Sequence, residues 1–366
     1  MRQARLLAHF VALTLLAGVL ITPGCTYSPY NPPPLAFSGD SAAAKGTVVV
    51  STLDTPASKG KNVIWCATFQ MCWDELKPLV GPINVPGAQD IIRRLDGAHI
   101  NATDMPKDRY YAVAGLLKDG IVAKIQSEMA AKFPQVKPNM PPLDNDLWAM
   151  AYAYLNDAVK FRTAYFDRQR GDDFTDSAGN KTHVSSFGLY DKSREADVNA
   201  ALGCQIEILY SGKEKYPPQE FVLDLDKKSD PTQLILACVE PKETPAATWQ
   251  DVQSKIANWK PAKEDERKFG DHDSLAVPNV NYKIQHSFKE LETSSRLLMT
   301  FQAIEFRLDR SGAAIVGEAY LACPHCCEAR GRHFSFTRPF LIAMRKRGST
   351  EPYFMMWVEN GELLCK

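Results

Sequence analysis

Apolar residues along the chain keep two different periods, and the switch between them divides the sequence. In the first third the period is helical. Within "NVIWCATFQMCWDELKPLV" the residues Ile64, Ala67, Met71, Leu76 and Leu79 recur at helical spacing, and Pro78 limits the helix end. "PGAQDIIRRLDG" predicts a short helix, with Pro86 ahead of it and Gly97 closing it. "YYAVAGLLKDGIVAKIQSEMAAKF" reads as helix, broken or kinked near Gly120. "DLWAMAYAYLNDAVKF" then drifts from helical to strand character, with "AYLNDAVKF" as the strand.

Strand patterns fill most of the remainder, after a short early candidate in "GTVVVS". "CQIEILYSG" and "QLILACVEP", separated by a loop with Pro217 and Pro218, predict an antiparallel pair. "TWQDVQSKIANW" is a short helix opened by Thr248, and "NVNYKIQHSFKELE" alternates before turning helical. "QAIEFRLDRSG", "HFSFTRPFLIAMRKRG" and "EPYFMMWVENG" read as strands with turns between them. Helices early and strands late predict an α+β fold with antiparallel sheets, in one domain over residues 47–366. The βαβ alternation and glycine-rich phosphate loops of a nucleotide-binding fold are missing.

The N-terminus changes the picture more than composition does. "MRQAR" is followed by the apolar run "LLAHFVALTLLAGVLITPGC", the layout of an export signal over residues 1–25. A cysteine at the cut points to a lipoprotein signal with Cys25 as the lipidated residue. A plain cleaved signal and an uncleaved anchor are the alternatives, the latter because the run is just long enough to span. Residues 26–46, rich in Pro, Ser, Ala and Gly, predict a flexible tether. The expectation is an exported protein, extracellular or periplasmic, touching membrane only through such an N-terminal anchor. Forty-three basic residues balance forty-three acidic ones, which argues against a nucleic-acid partner.

Eight cysteines lie beyond Cys25, an even number compatible with pairing in an oxidising compartment. Cys204 and Cys238 sit on the predicted strand pair, where they either face each other or are separately buried thiols. "AYLACPHCCEARGRH" holds Cys323, His325, Cys326, Cys327 and His333, ligand types that zinc accepts. A second CxxC or HxxxH is missing, and no helix follows as a thioredoxin-like site requires. Loop disulfides or free thiols are therefore the blander reading, with zinc or thiol chemistry as alternatives. "RKRG" at 345–348 reads as a solvated turn or, less readily, a polyanion site. His183 and His286 have no Ser or Cys partner at a meaningful spacing, and no nucleophile elbow, HExxH or triad appears. An enzyme is not expected, nor a cofactor.

The last third carries a family resemblance. In "FTRPFLIAMRKRGSTEPYFMMWVENG", Phe336, Pro339, Phe340, Phe354, Met355, Val358 and Asn360 resemble the closing segment of serpins. "VPNVNYKIQHSFKELE" and "QAIEFRLDRSGAAIVGEA" resemble the strand and helix before the long centre strand, and the hinge that opens the reactive loop. "LNDAVKFRTAYFDRQRGDDF" and the pair "CQIEILYSGKEK" with "QLILACVEP" resemble earlier serpin segments in the right order, so the likeness runs from about Asn62 to Asn360. It implies an α+β serpin-like fold with three mainly antiparallel sheets, a helical N-terminal part and an exposed reactive loop. There are departures. Cys66 and Ala67 replace the family's Ser-Pro pair, Asp157 the shutter Asn, Gln302 the shutter His, and Tyr165 a Trp.

The resemblance turns the cysteine stretch into part of a bait loop for a serine or cysteine protease, about residues 313–335. Cleavage would let the loop's N-terminal side insert into the main sheet. The scissile window covers Cys326, Cys327, Glu328 and Arg330, and Arg332 would suit a trypsin-like protease if the register moved. Hinge residues are Arg310, Gly312, Ala313, Ala314, Ile315, Val316, Gly317 and Glu318. Alternation puts Ala313, Ile315, Gly317, Ala319, Leu321 and Cys323 on one face, all apolar or small, and Glu318 on the other. Ile315, Val316 and Glu318 break the run of small residues that inhibitory members favour, and Arg310 replaces the usual hinge Glu. A non-inhibitory serpin fold used for binding or structure is therefore the alternative.

Overall fold

The computed structural model describes residues 32–140, 148–189, 196–213, 219–292, 299–314 and 331–366. In chain order, β1 (Phe37–Asp40), β2 (Thr47–Val49) and β3 (Asn62–Cys66) lead into α1 (Thr68–Val80) and α2 (Gln89–Gly97). Then come β4 (Tyr110–Leu116), α3 (Ile121–Lys132), β5 (Ala149–Leu155), β6 (Ala158–Lys160), β7 (Phe166–Thr175) and β8 (Lys181–Leu189). α4 (Ala196–Gln205) precedes β9 (Glu207–Ser211), β10 (Phe221–Asp224) and β11 (Thr232–Cys238), and α5 (Pro245–Asn258) follows. The chain closes with β12 (Ser274–Pro278), β13 (Val280–His286), β14 (Gln302–Asp309), β15 (Gly312–Ala314), β16 (His333–Ser335), β17 (Phe340–Lys346) and β18 (Pro352–Val358).

These strands form a five-stranded sheet β1-β13-β14-β15-β6, a seven-stranded sheet β2-β3-β18-β17-β11-β10-β9, a four-stranded sheet β16-β12-β8-β7, and the pair β4-β5. The α+β class and the three mainly antiparallel sheets are as expected. The seven-stranded sheet forms the centre of the core. Every residue of β11 and β18 is buried, the pattern of strands covered on both faces. α5 is set by its own start signals: Thr244 accepts a hydrogen bond from the Ala247 amide and Pro245 fills the first turn. α1 and α2 are stapled by polar groups. The Gln70 amide donates to the Leu95 and Ala98 carbonyls, and Trp73 Nε1 donates to Asp96.

Several expectations need correction. Residues 62–66 are strand, not the start of a helix; Val63, Ile64 and Trp65 are β-favouring types and pair with β18. Pro78 lies inside α1, which runs two residues further to Val80 and is capped by Gly81 at φ 75°. The helical N-terminal part is only partly helical, because Tyr110–Leu116 is a strand paired along its length with β5. Its small Ala112, Ala114 and Gly115 fit either period, and the partner strand decides. Added at Gly115, a Cβ would come within 2.9 Å of Ile121, so α3 can pack closely there. The tether assigned to 26–46 also ends early. Phe37–Asp40 joins the five-stranded sheet as an edge strand parallel to β13, and Asn281 donates to the Pro33 carbonyl. Cys25 and the export signal lie outside the described residues.

Candidate functional site

The bait-loop expectation turns on where the chain leaves and rejoins the sheets. It leaves at the turn between β14 and β15. Asp309 Oδ1 accepts from the Ser311 amide at 2.8 Å and from its hydroxyl at 2.5 Å. The Tyr165 and Phe161 amides donate to the carbonyls of Arg310 and Ser311 at 2.9 and 3.0 Å. Arg310 is 2% exposed, and its guanidinium donates to Asp167 at 2.9 Å. Burial of a cation is tolerable here only because that carboxylate is present.

Gly312 then turns the chain back. Its φ is 148°, and a Cβ there would lie 2.0 Å from the Val159 carbonyl oxygen. No other residue fits without moving β6. Beyond it, Gly312–Ala314 pair antiparallel with Arg307–Asp309 on one side and Ala158–Lys160 on the other. Ala313 is fully buried between Leu308 and Val159. The first residues assigned to the loop are thus already a strand in the main sheet.

Gln302–Phe306 of β14 pair with β13 on one edge, and among the described residues no strand pairs with the other edge. Among the described residues β5, which is followed by β6, pairs with β4 alone.

The next described residue is Gly331. A Cβ here would stand 1.3 Å from the His272 carbonyl oxygen, so the backbone passes against that loop. Arg332 is fixed beside it. Its guanidinium reaches both Asp273 oxygens at 2.6–3.2 Å and donates to the Glu266 and Lys268 carbonyls. β16 follows, parallel to β12. Of the residues 313–335 assigned to the loop, Ala313 and Ala314 belong to one sheet and His333–Ser335 to another. Arg332 is a poor cleavage residue because it is committed to Asp273. Ile315, Val316, Gly317, Glu318, Cys323, His325, Cys326, Cys327, Glu328 and Arg330 lie outside the described residues. His333 Nδ1 is hydrogen-bonded to Ser274 Oγ at 2.6 Å.

The three shutter-like residues separate into two neighbouring groups. Gln302 donates to the Cys66 carbonyl at 3.1 Å and to Thr68 at 2.9 Å. Asp157 is 1% exposed and accepts from its neighbour's amide, the Thr232 hydroxyl and the Tyr353 hydroxyl. Tyr353 links the groups, since its carbonyl accepts from the Ala67 amide. Burial first, then the Asp157 charge, holds the Tyr353 phenol well above its usual pKa. Asp157 thus acts as an acceptor where the resemblance has an amide. Thr232, Tyr353 and Asp273 escaped sequence reasoning because nothing local marks them; Asp273 is one acid among several in "KEDERKFGDHD".

Other expectations are corrected too. Cys204 lies on α4 and is exposed, and β10 separates β9 from β11, so Cys204 and Cys238 do not face each other. Cys66, Cys72, Cys204, Cys238 and Cys365 are free thiols. "RKRG" is neither a solvated face nor a free basic patch. Arg345 donates to Gln233 and lies over Trp249, and Arg347 donates to Asp224, Asp226 and Ser229. His286 does have a serine partner, Ser41 at 2.7 Å, contributed by the segment read as tether. Among the described residues no cluster of three metal-ligating side chains occurs and no helix is long and apolar enough to cross a membrane.

No protein-family model and no curated protein matches the chain. Solved structures do. A thermophilic serpin, tengpin, in its native state is 14% identical at a TM-score of 0.40; the match covers 66% of this chain and 63% of that one, so the chain spans less than two thirds of tengpin's length. Native protease nexin-1 with heparin is 9% identical at 0.46, over 82% and 92% of the two chains. Human thyroxine-binding globulin in complex with its ligand is 11% identical at 0.47, over the same shares. With every TM-score below 0.5, these likenesses carry no functional weight, and the strand order described above stands on its own.

Proposed function

We propose that the chain is a serpin-like protease-inhibitor scaffold whose loop, from Ile315 to Arg330, is bait for a serine or cysteine protease and adds a strand to the main sheet once cut. The observation that carries this reading is β15, whose three residues pair between β14 and β6 at the start of a stretch of β14 that has one strand partner among the described residues.

Continuing the register supports it. Ala313 lies opposite Leu308, so Ile315, Gly317 and Ala319 would fall opposite Phe306, Ile304 and Gln302. Those three are buried, and the loop residues facing them are apolar or small. Val316 and Glu318 would fall opposite Glu305 and Ala303, which face outward. The apolar face of the loop and the buried face of β14 thus match without a slip, as strand addition requires. Insertion would also give a second strand partner to Gln302–Phe306, which have one among the described residues.

A second reading, a serpin-fold binding protein with no spring, also has support in the hinge. Arg310 is buried on Asp167 and its carbonyl is bonded, and Ile315 and Val316 are bulkier than a fast hinge favours. Cutting the loop once between Cys323 and Arg330 separates the readings. Amide hydrogen exchange of peptides covering Gln302–Phe306 and Ala149–Leu155 should slow after the cut. Unchanged exchange would favour the second reading. If speed alone is lacking, replacing Ile315 and Val316 by Ala should convert a cleaved substrate into a trapping inhibitor, seen as a detergent-stable complex with trypsin.

A further inference from the structure

The N-terminal segment joins the five-stranded sheet at the end that carries the bait loop. The Ala36 amide donates to the Asn281 carbonyl, and the Asn281 side chain donates to the Pro33 carbonyl. Asn281 lies opposite Arg307, and Arg307 opposite Ala314, the last described residue before the loop. Ala36 and Ala314 therefore share one row of the sheet, three strand spacings or about 14 Å apart. The far end of the loop attaches there as well. β12, which pairs with His333–Ser335, ends at Pro278 and passes through Asn279 into Val280, the first residue of β13.

Strand direction decides which end this is. β1 runs parallel to β13, so the chain enters beside Val280 and leaves beside His286. An antiparallel β1 would have brought Pro33 in at the His286 end, roughly 16 Å down the sheet from the loop's row. Cys25 is the residue the sequence marks for lipidation, and seven residues carry the chain from it to Pro32. Fully extended, they span at most about 25 Å. An anchor on so short a leash keeps the Val280 end of the sheet nearest the bilayer and the His286 end farthest from it.

We propose that the N-terminal anchor holds the chain loop end first against the bilayer, and that the protease it meets is one attached to that same surface. Confining both partners to one surface raises their effective concentration without any new contact. A protease free in solution gains nothing from the arrangement. The inference rests on the bait-loop reading and on lipidation of Cys25, but its orientation is read without cleavage or trapping.

The full chain, made with its own N-terminus and reconstituted in phosphatidylcholine vesicles that carry a lipid-bound energy acceptor, tests it. A donor dye is attached through Lys160→azidophenylalanine, opposite Gly312, or through Lys289→azidophenylalanine, beyond His286; both positions are exposed. Transfer from position 160 should be at least about twofold stronger, since the two lie at opposite ends of strands roughly 20 Å long. Trypsin coupled to the same vesicles should cut the loop at least about tenfold faster than the same amount of trypsin in solution. Equal or reversed transfer would overturn the orientation, and equal cutting rates the surface-bound partner. An unaltered chain that stays off the vesicles, or a Cys25→Ser chain that stays on them, would overturn the anchor. A cut that brings no rise in melting temperature would instead overturn the bait-loop reading, with the transfer result unaffected.

Discussion

The five-stranded and seven-stranded sheets are built to opposite rules. In the seven-stranded sheet each neighbour is paired, and its inner strands β11 and β18 are buried at every residue. In the five-stranded sheet β15 is three residues long, and Gln302–Phe306 of β14 beside it have one strand partner among the described residues. Closed backbone pairing with apolar packing gives one arrangement and a rigid body. An open pair of edges permits two arrangements of the same sequence, with and without a further strand. On the proposed reading the seven-stranded sheet is the frame and the five-stranded sheet the moving part.

Breaking the frame should cost most. Asp224 is fully buried in β10, and Arg347 is its cation at 3.0 Å. Burial raises the Asp224 pKa, and Arg347 opposes that rise. Arg347→Ala should therefore lower stability by about 3–5 kcal/mol, the usual cost of leaving one buried ion unpaired. Urea denaturation reads this directly, and a loss under about 1 kcal/mol would show that Asp224 is neutral in the folded state.

A change at the hinge should cost less but act on the moving part alone. Gly312→Val places a branched side chain where a Cβ is already 2.0 Å from the Val159 carbonyl. The intact protein should lose roughly 1–3 kcal/mol. Any rise in melting temperature caused by cutting the loop should disappear. A variant that still gains stability on cleavage would show that β15 is not the entry point.

The smallest effect concerns the thiols. Burial pushes Cys72 and Cys365 up to about 12 and Cys238 up to about 11, from an ordinary value of 9.0. At neutral pH these three should resist iodoacetamide while exposed Cys204 reacts, which peptide mapping of the native protein would show. The sign for stability follows. The folded thiols hold their protons longer than the unfolded ones, so their contribution is full below pH 9 and falls as pH rises toward 12.

Much of the fold was legible because strand periods and turn residues are local signals. β9, β11, β14, β17 and β18 lie where alternation put them, and the order of segments carried the serpin-like reading. The strand β4 was missed because alanine and glycine suit helix and strand alike, and only its pairing with β5 chose. β1 was missed for a similar reason, since a segment rich in Ser, Ala and Gly becomes a strand only when β13 offers an edge. At the site, Gly312 and Asp157 could be placed from the resemblance. The partners of Asp157 and the clamp on Arg332 could not, because Thr232, Tyr353 and Asp273 come from distant parts of the chain.

The most direct test of the moving-part account is a thermal melt before and after a single proteolytic cut between Cys323 and Arg330. If the freed loop pairs with β14, it adds a strand with an apolar face against Phe306 and Ile304, and the melting temperature should rise by tens of degrees, several times the shift of about 2–4 °C that one kcal/mol gives a domain of some 150–250 residues. A melting temperature that stays level or falls after the cut would contradict the account.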